Sequence, residues 1–216
     1  MKKFFKSLML ISVCLGLSAT VNAKTFRYAT TGDILGLDPH ANNEGPTNTM
    51  KGNIYGRMLH RKADLSLEPD LATKWEKLDA NTWRFSLRRG VKFHNGNDFN
   101  ADDVLFSYKR QTQEASDMSF ALATIKQINK VDDYTVDLIT KGPDPILLLN
   151  MPMFYIVDKE WIEANNAFEV VRASGSTNFA NVNTNGTGPF KVVEWIQDTR
   201  IVLEPFEGYW GKNQIQ

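Results

Sequence analysis

Three histidines, His40, His60 and His94, are the side chains most able to bind a metal or move a proton near neutral pH. They fall in separate stretches, with neither H-x-H nor H-x-x-x-H spacing, so no metal cluster is expected from them. The adjacent carboxylates Asp102 and Asp103 could in principle divide acid and base roles. Asn100 just before them and Val104, Leu105 and Tyr108 just after mark them instead as the first turn of a helix. Ser174-Gly175-Ser176 lacks the G-x-S-x-G flanks of a nucleophile elbow. Gly186-Thr187-Gly188 lacks the lysine of a phosphate loop, and Pro189 behind it stiffens a crossover. Neither an enzyme nor a cofactor is expected from these residues.

The chain of 216 residues opens with Lys2, Lys3 and Lys6, then the apolar run from Leu8 to Leu17, then Val21-Asn22-Ala23. That order is a secretory leader over residues 1–23, cut after Ala23, and its apolar run is too short for a membrane span of about 20 residues. The only cysteine, Cys14, lies in the leader behind Val13 and does not form a lipid-attachment box. The mature chain, residues 24–216, therefore has no disulfide and no thiol site, and must be held by buried apolar surface. Without the three leader lysines, 22 basic residues face 25 acidic ones, a net charge of −3 with no long run of either sign. Nothing in this balance points to a nucleic-acid partner.

The elements that must position any site alternate between strand and helix patterns. A first strand is expected over Thr25–Thr30, a turn at Thr31-Gly32-Asp33, and an extended segment at Leu37-Asp38-Pro39-His40. Met50, Ile54, Met58 and Leu59 predict a helix over Thr47–Leu59. Trp83, Phe85 and Leu87 alternate with Arg84, Ser86 and Arg88, giving a half-buried strand. Arg89-Gly90 turns it into a short strand at Val91-Lys92-Phe93, and Asn95-Gly96 is a second turn. Asn100 caps the next helix. Further expectations are a strand at Tyr134–Leu138, an apolar stretch from Pro145 to Val157 broken by Pro152, and a loop from Asn178 to Gly188. A hairpin of Phe190–Trp195 with Thr199–Leu203 and an aromatic turn at Gly208-Tyr209-Trp210-Gly211 close the sequence. The fold class is α+β (mixed α/β).

Several stretches together resemble the peptide/nickel solute-binding proteins of ABC importers. They are Leu37-Asp38-Pro39-His40, Ile54–Leu59, Leu67–Glu76 and the long run Trp83–Gly96, continued by Asn100–Tyr108. Gly186–Phe190 and Gly208-Tyr209-Trp210 follow in the same order. The resemblance implies the first lobe of a two-lobed periplasmic binding fold of the large, three-subdomain class, incomplete over residues 24–216, with the second lobe absent. It implies a periplasmic component that captures a small solute, most commonly a peptide, and hands it to a permease in the inner membrane, as a monomer when full length. By the same resemblance Asn42, Asn43 and Thr47 contact ligand, Phe120 and Met151 wall the cleft, and His40 and Asp33 stand nearby. The alternatives are a secreted hydrolase, and a lone β-rich interaction module or non-functional fragment.

Overall fold

In the computed structural model, residues 26–172 and 178–211 are described. The expected leader with its cut after Ala23, the residues Lys24 and Thr25, and Ser174-Gly175-Ser176 lie outside them. The chain runs α1 (Gly45–Ile54), β1 (Leu59–Arg61), β2 (Leu67–Pro69), β3 (Ala72–Lys77), β4 (Thr82–Leu87), α2 (Ala101–Gln111), β5 (Ile125–Asp132) and β6 (Thr135–Thr140). It continues through α3 (Leu147–Asn150), α4 (Lys159–Ala164), α5 (Phe179–Val182), β7 (Phe190–Ile196) and β8 (Arg200–Pro205). All described strand pairs are antiparallel: a four-stranded sheet in the order β3-β4-β6-β5, and two hairpins, β1-β2 and β7-β8. This is the α+β class expected.

The sheet's inner face explains the first core. Phe85 and Leu87 from β4, Val136 and Leu138 from β6, and Ile125 and Ile128 from β5 point one way and are buried with Val104 of α2, Phe93, Phe99, Met151 and Phe154. On the outer face Arg84 grips Asp137 with two hydrogen bonds of 2.8 Å. A second core joins Ile34, Leu37, Met50, Ile54, Tyr55, Phe106, Met118, Ile162 and Ala180. Helix α2 serves both cores, because Val104 faces the first and Phe106 the second. Its start is as the sequence implies: Asn100 Oδ1 accepts from Asp102 N–H (2.7 Å), while Asp103 Oδ2 accepts from Asn100 N–H (2.9 Å). These reciprocal bonds satisfy amides that a helix start would otherwise leave bare.

Four expectations are corrected. Residues 26–30 form no strand, since no described strand lies beside them to complete a ladder. Phe26 and Tyr28 stand exposed and stack on each other at 5.9 Å. The helix expected through Leu59 stops at Ile54, and Tyr55 is already extended. Gly56 shows why: a Cβ there would lie 2.4 Å from Thr187 Oγ1 and 2.9 Å from Leu71, so the backbone is pressed against another segment. Val91–Phe93 is a single bridge, Lys92 to Asp98, closed by the Gly96 turn at φ +97 rather than a strand. Asn178 starts a one-turn helix, α5, inside the expected loop.

The Gly186-Thr187-Gly188 segment packs onto the end of α1. Gly188 N–H donates to Ile54 O (2.9 Å), and Gly56 N–H donates to Thr187 Oγ1 (3.2 Å). A Cβ on Gly186 would meet Ile54 O at 2.0 Å, and one on Gly188 would meet Ile54 C at 2.6 Å. Glycine is needed here for close approach. His94 bridges the same segment, with Nε2 at 3.1 Å from Gly188 O and Nδ1 accepting from Gly186 N–H at 3.3 Å. Gly186→Ala is expected to destabilise by about 2–5 kcal/mol in urea unfolding, against about 0.5 kcal/mol or less for Gly142→Ala, where a Cβ meets open space. Equal costs would mean that the close approach carries no energy.

The connection before α1 is held by a buried ion pair. Arg110 of α2 donates to both carboxylate oxygens of Asp38 (2.8 and 2.5 Å), and both side chains are fully buried. Burial alone would raise Asp38; the Arg110 guanidinium outweighs it and holds the carboxyl below its usual range. Arg110 Nη1 also donates to His40 Nδ1 (3.0 Å), so the imidazole proton sits on Nε2, which donates to Tyr155 O (3.0 Å). Burial first, and then the Arg110 charge, pull His40 down from 6.5 to about 3. The folded protein therefore keeps His40 neutral while the unfolded chain protonates below 6.5, and the stability His40 contributes is lost as pH falls from 6.5 toward 3. Urea unfolding of wild type and His40→Asn is expected to show their stability gap narrowing by up to about 1.4 kcal/mol per pH unit over that window. A constant gap would contradict a neutral buried imidazole.

Candidate functional site

The loop from Asp33 to Asn43 crosses the surface beside Ser116–Leu122, and polar bonds fix the two together. Ser116 Oγ donates to His40 O (2.7 Å), and Asp117 N–H donates to Ala41 O (3.2 Å). Lys51 of α1, itself buried, reaches up to Asn42 O and to Asn48 Oδ1 (3.2 Å), with its ammonium 5.9 Å from the centre of the Tyr155 ring. Burial lowers Lys51 to about 8, against the pull of Asp38 and Glu44. Tyr55 donates its hydroxyl to Leu37 O (3.1 Å), and burial raises its ionisation well above the ordinary tyrosine range. The loop is thus held from beneath at Leu37, Asp38, His40, Ala41 and Asn42.

What this floor presents outward is a shelf. Leu35 is 48% exposed and Phe120 is 50% exposed, and Asn43 is exposed between them in sequence. Asn43 Oδ1 accepts from Asn48 Nδ2 (2.7 Å), so the Asn43 amide N–H groups are not used in that bond. Apolar area with a few placed amides is the chemistry of a small-molecule contact surface.

The seven residues nominated from the sequence occupy distinct positions. Asn42, Asn43 and His40 lie in the loop, and Phe120 sits in the short 3-10 turn beside it, so the fold brings these segments together. Thr47 is buried in α1 and accepts from Leu35 N–H at Oγ1 (2.9 Å), which orients the exposed Leu35. Asp33 Oδ2 accepts from Trp195 Nε1 (3.2 Å) and Asp198 N–H (2.7 Å), tying the loop to the β7-β8 hairpin. His40 is wholly interior, with both ring nitrogens engaged. Met151 is also fully buried, within the first core, and reaches no described surface.

Arg110, Lys51, Ser116 and Tyr155 were not singled out from the sequence. Arg110 did carry a signal: it lies three residues after Ser107 and four after Phe106, on the buried stripe of α2. A charged residue at an apolar position of a helix asks for a buried partner.

Other clusters are accounted for by folding roles. Asp103, Asp158 and Glu160 bring carboxylates within 4.8 Å of one another. Asp158 Oδ2 accepts from the side-chain amides of Asn95, Asn97 and Asn185 at 2.7–2.9 Å, and its Oδ1 caps α4 through Trp161 N–H (3.0 Å). Asp103 accepts from two backbone amides; burial pushes it up to about 7. His60 lies apart from the other histidines, with Nδ1 accepting from Arg57 at 3.3 Å. Leu35 also lines a cleft of about 770 Å³, with Leu37, Trp161, Phe179 and the Val192–Trp195 stretch of β7.

The chain is 32% identical over 228 residues to the dipeptide-binding protein of Escherichia coli (strain K12), covering 94% of this chain and 42% of that protein. It is 32% identical over 209 residues to heme-binding protein A of Haemophilus influenzae, covering 86% of this chain and 37% of that protein. It superposes on the ABC transporter-associated periplasmic binding protein DppA of Helicobacter pylori, in complex with the peptide STSA. The TM-score is 0.72 at 30% identity, covering 83% of this chain and 38% of that one. The chain thus spans less than half the length of these relatives and has the mixed α/β architecture of part of a periplasmic binding protein. Residues 66–216 match the family described as bacterial extracellular solute-binding proteins, family 5 Middle, and the chain belongs to that family.

Proposed function

We propose that this chain supplies the first-lobe face of a periplasmic solute receptor, which captures a peptide-like solute and delivers it to an ABC permease in the inner membrane. The observation that carries the reading is that Leu35 and Asn43 stand exposed on a loop that buried polar groups hold in place, with Phe120 exposed on the 3-10 turn that follows the Ser116–Asp117 bonds to that loop. A binding surface works best when its geometry is set before the ligand arrives, because ordering it afterwards subtracts from affinity. In this reading Phe120 and Leu35 give apolar contact, and the Asn43 amide donates to a ligand carbonyl. Asn42, Thr47, His40 and Asp33 position them, and Met151 supports the floor from the core. A second lobe would close over the shelf about a hinge.

The relatives support a peptide-like solute through the dipeptide-binding protein and the peptide-bound structure, while the heme-binding relative shows how widely the family's cargo ranges. The leader expected over residues 1–23 supports export, and among the described residues no helix is long and apolar enough to cross a membrane.

Calorimetric titration of a di- and tripeptide panel into the protein expressed from its complete reading frame is expected to give saturable binding. Phe120→Ala should weaken it about tenfold, for one buried aromatic contact. Asn43→Ala should weaken it about threefold to tenfold, for one hydrogen bond. Unchanged affinity in both variants would remove the shelf from the site. No binding of any peptide, with binding of heme or another non-peptide solute, would remove the peptide.

A further inference from the structure

Three arginines stand within or just beyond β4, Arg84 inside the strand and Arg88 and Arg89 after its end, and they are not equivalent. Arg84 is neutralised by Asp137. Arg88 and Arg89, where the chain leaves β4 and turns at Gly90 (φ +71), are held by aromatic rings instead. The Arg88 guanidinium lies 3.9 Å from the centre of the Trp210 ring, and that of Arg89 lies 4.2 Å from the centre of the Tyr134 ring. Arg88 donates through Nε to Asp70 O (2.9 Å), a backbone acceptor that carries no charge. Among the described residues no carboxylate lies within 4.0 Å of either guanidinium.

Both arginines line a groove of about 510 Å³, together with Thr73, Ser86, Leu87, Tyr134 and Thr135. Thr73 Oγ1 is spent on Ser86 O (3.1 Å). The Ser86 hydroxyl makes no hydrogen bond among the described residues and stands opposite Thr135 in the β4-β6 register. Two adjacent cations stacked flat on rings are pre-oriented, so they lose little rotamer freedom on binding, and a guanidinium presents paired donors that match an oxyanion. The facing carboxylates are Asp70 behind Arg88 and Asp132 beside Arg89. Asp132 Oδ1 accepts from Tyr134 N–H (2.7 Å), and Asp132 is held below its usual range by backbone hydrogen bonding first and by the Arg89 and Arg84 charges among the smaller causes. Both cations are therefore partly balanced at a distance, and an anion entering the groove competes with those fields without displacing a formed ion pair.

We propose that the groove at the end of β4 is a binding site for a small oxyanion of the phosphate class, gripped by Arg88 and Arg89 with the Ser86 hydroxyl as a third donor. The site lies at the edge of the first core, against which Tyr134 and Trp210 pack. The phosphate could be free or could be carried by a lipid headgroup, and the two sources are separable.

The test titrates inorganic phosphate into the full protein and follows arginine Nε–H and tryptophan indole resonances, with sodium chloride at matched ionic strength as control. Saturable shifts at Arg88, Arg89 and Trp210, absent with chloride, are expected. Arg89→Gln, an exposed position outside the core, should weaken the response about tenfold while leaving the fold intact. Ser86→Ala should weaken it about threefold to tenfold. Sedimentation with phosphatidylglycerol vesicles then decides the source. Co-sedimentation lost in Arg89→Gln identifies a headgroup, and phosphate binding without co-sedimentation identifies a free anion. Shifts that are linear in phosphate, equal in chloride, or unchanged by Arg89→Gln overturn the proposal.

Discussion

The Asp38–Arg110 pair is the contact on which the loop and the surface above it depend. Taking two full charges out of water costs several kcal/mol for each, so such a pair survives only where every remaining donor and acceptor is satisfied. Here the accounting closes. Arg110 also donates to Ala167 O through Nε and Nη2 (3.1 and 3.0 Å) and to His40, while Asp38 Oδ1 accepts from His40 N–H (3.0 Å). One guanidinium thereby joins the loop before α1, the helix α2 and the segment after α4. A position that would be an ordinary surface arginine on an isolated helix becomes the junction of three stretches of chain.

What was legible in the sequence follows from how locally each element is determined. The β4 strand and the α2 helix were visible because alternation, capping and the first-turn carboxylates are written within a dozen residues. The β7-β8 hairpin was visible for the same reason. Strand β5 was not, because it lies at a sheet edge and buries only Ile125 and Ile128, so its pattern never alternates. The end of α1 was misplaced because the stop comes from Thr187 and Leu71, far away in sequence, and nothing within the helix announces it. The nominated loop came from family resemblance. The partners that fix it, Arg110, Ser116 and Tyr155, are paired across 70 to 115 residues, where no local period reaches.

The motifs that identify the family therefore do structural work more than ligand work. His94, Gly186, Thr187 and Gly188 meet at the end of α1, where the missing side chains of the glycines let two backbones touch. Leu37-Asp38-Pro39-His40 supplies the buried half of the ion pair. Leu35, Asn43 and Phe120 are exposed in or next to the segments that these bonds hold.

The contact between Gly56 and Thr187 joins residues 131 positions apart, and the Asp33–Trp195 bond joins residues 162 apart. Chains dominated by such distant pairings close slowly, since the entropy of the intervening loop is spent before the contact repays it. A ribosome-bound chain cannot make either contact until the Gly186–Gly188 segment and β7 have been synthesised. Until then α1 has no abutment and the loop before it no anchor on the hairpin. The Gly186–Gly188 segment is thus the last-made part of the support for α1, and the helix end can settle into its final packing only after that segment has left the ribosome.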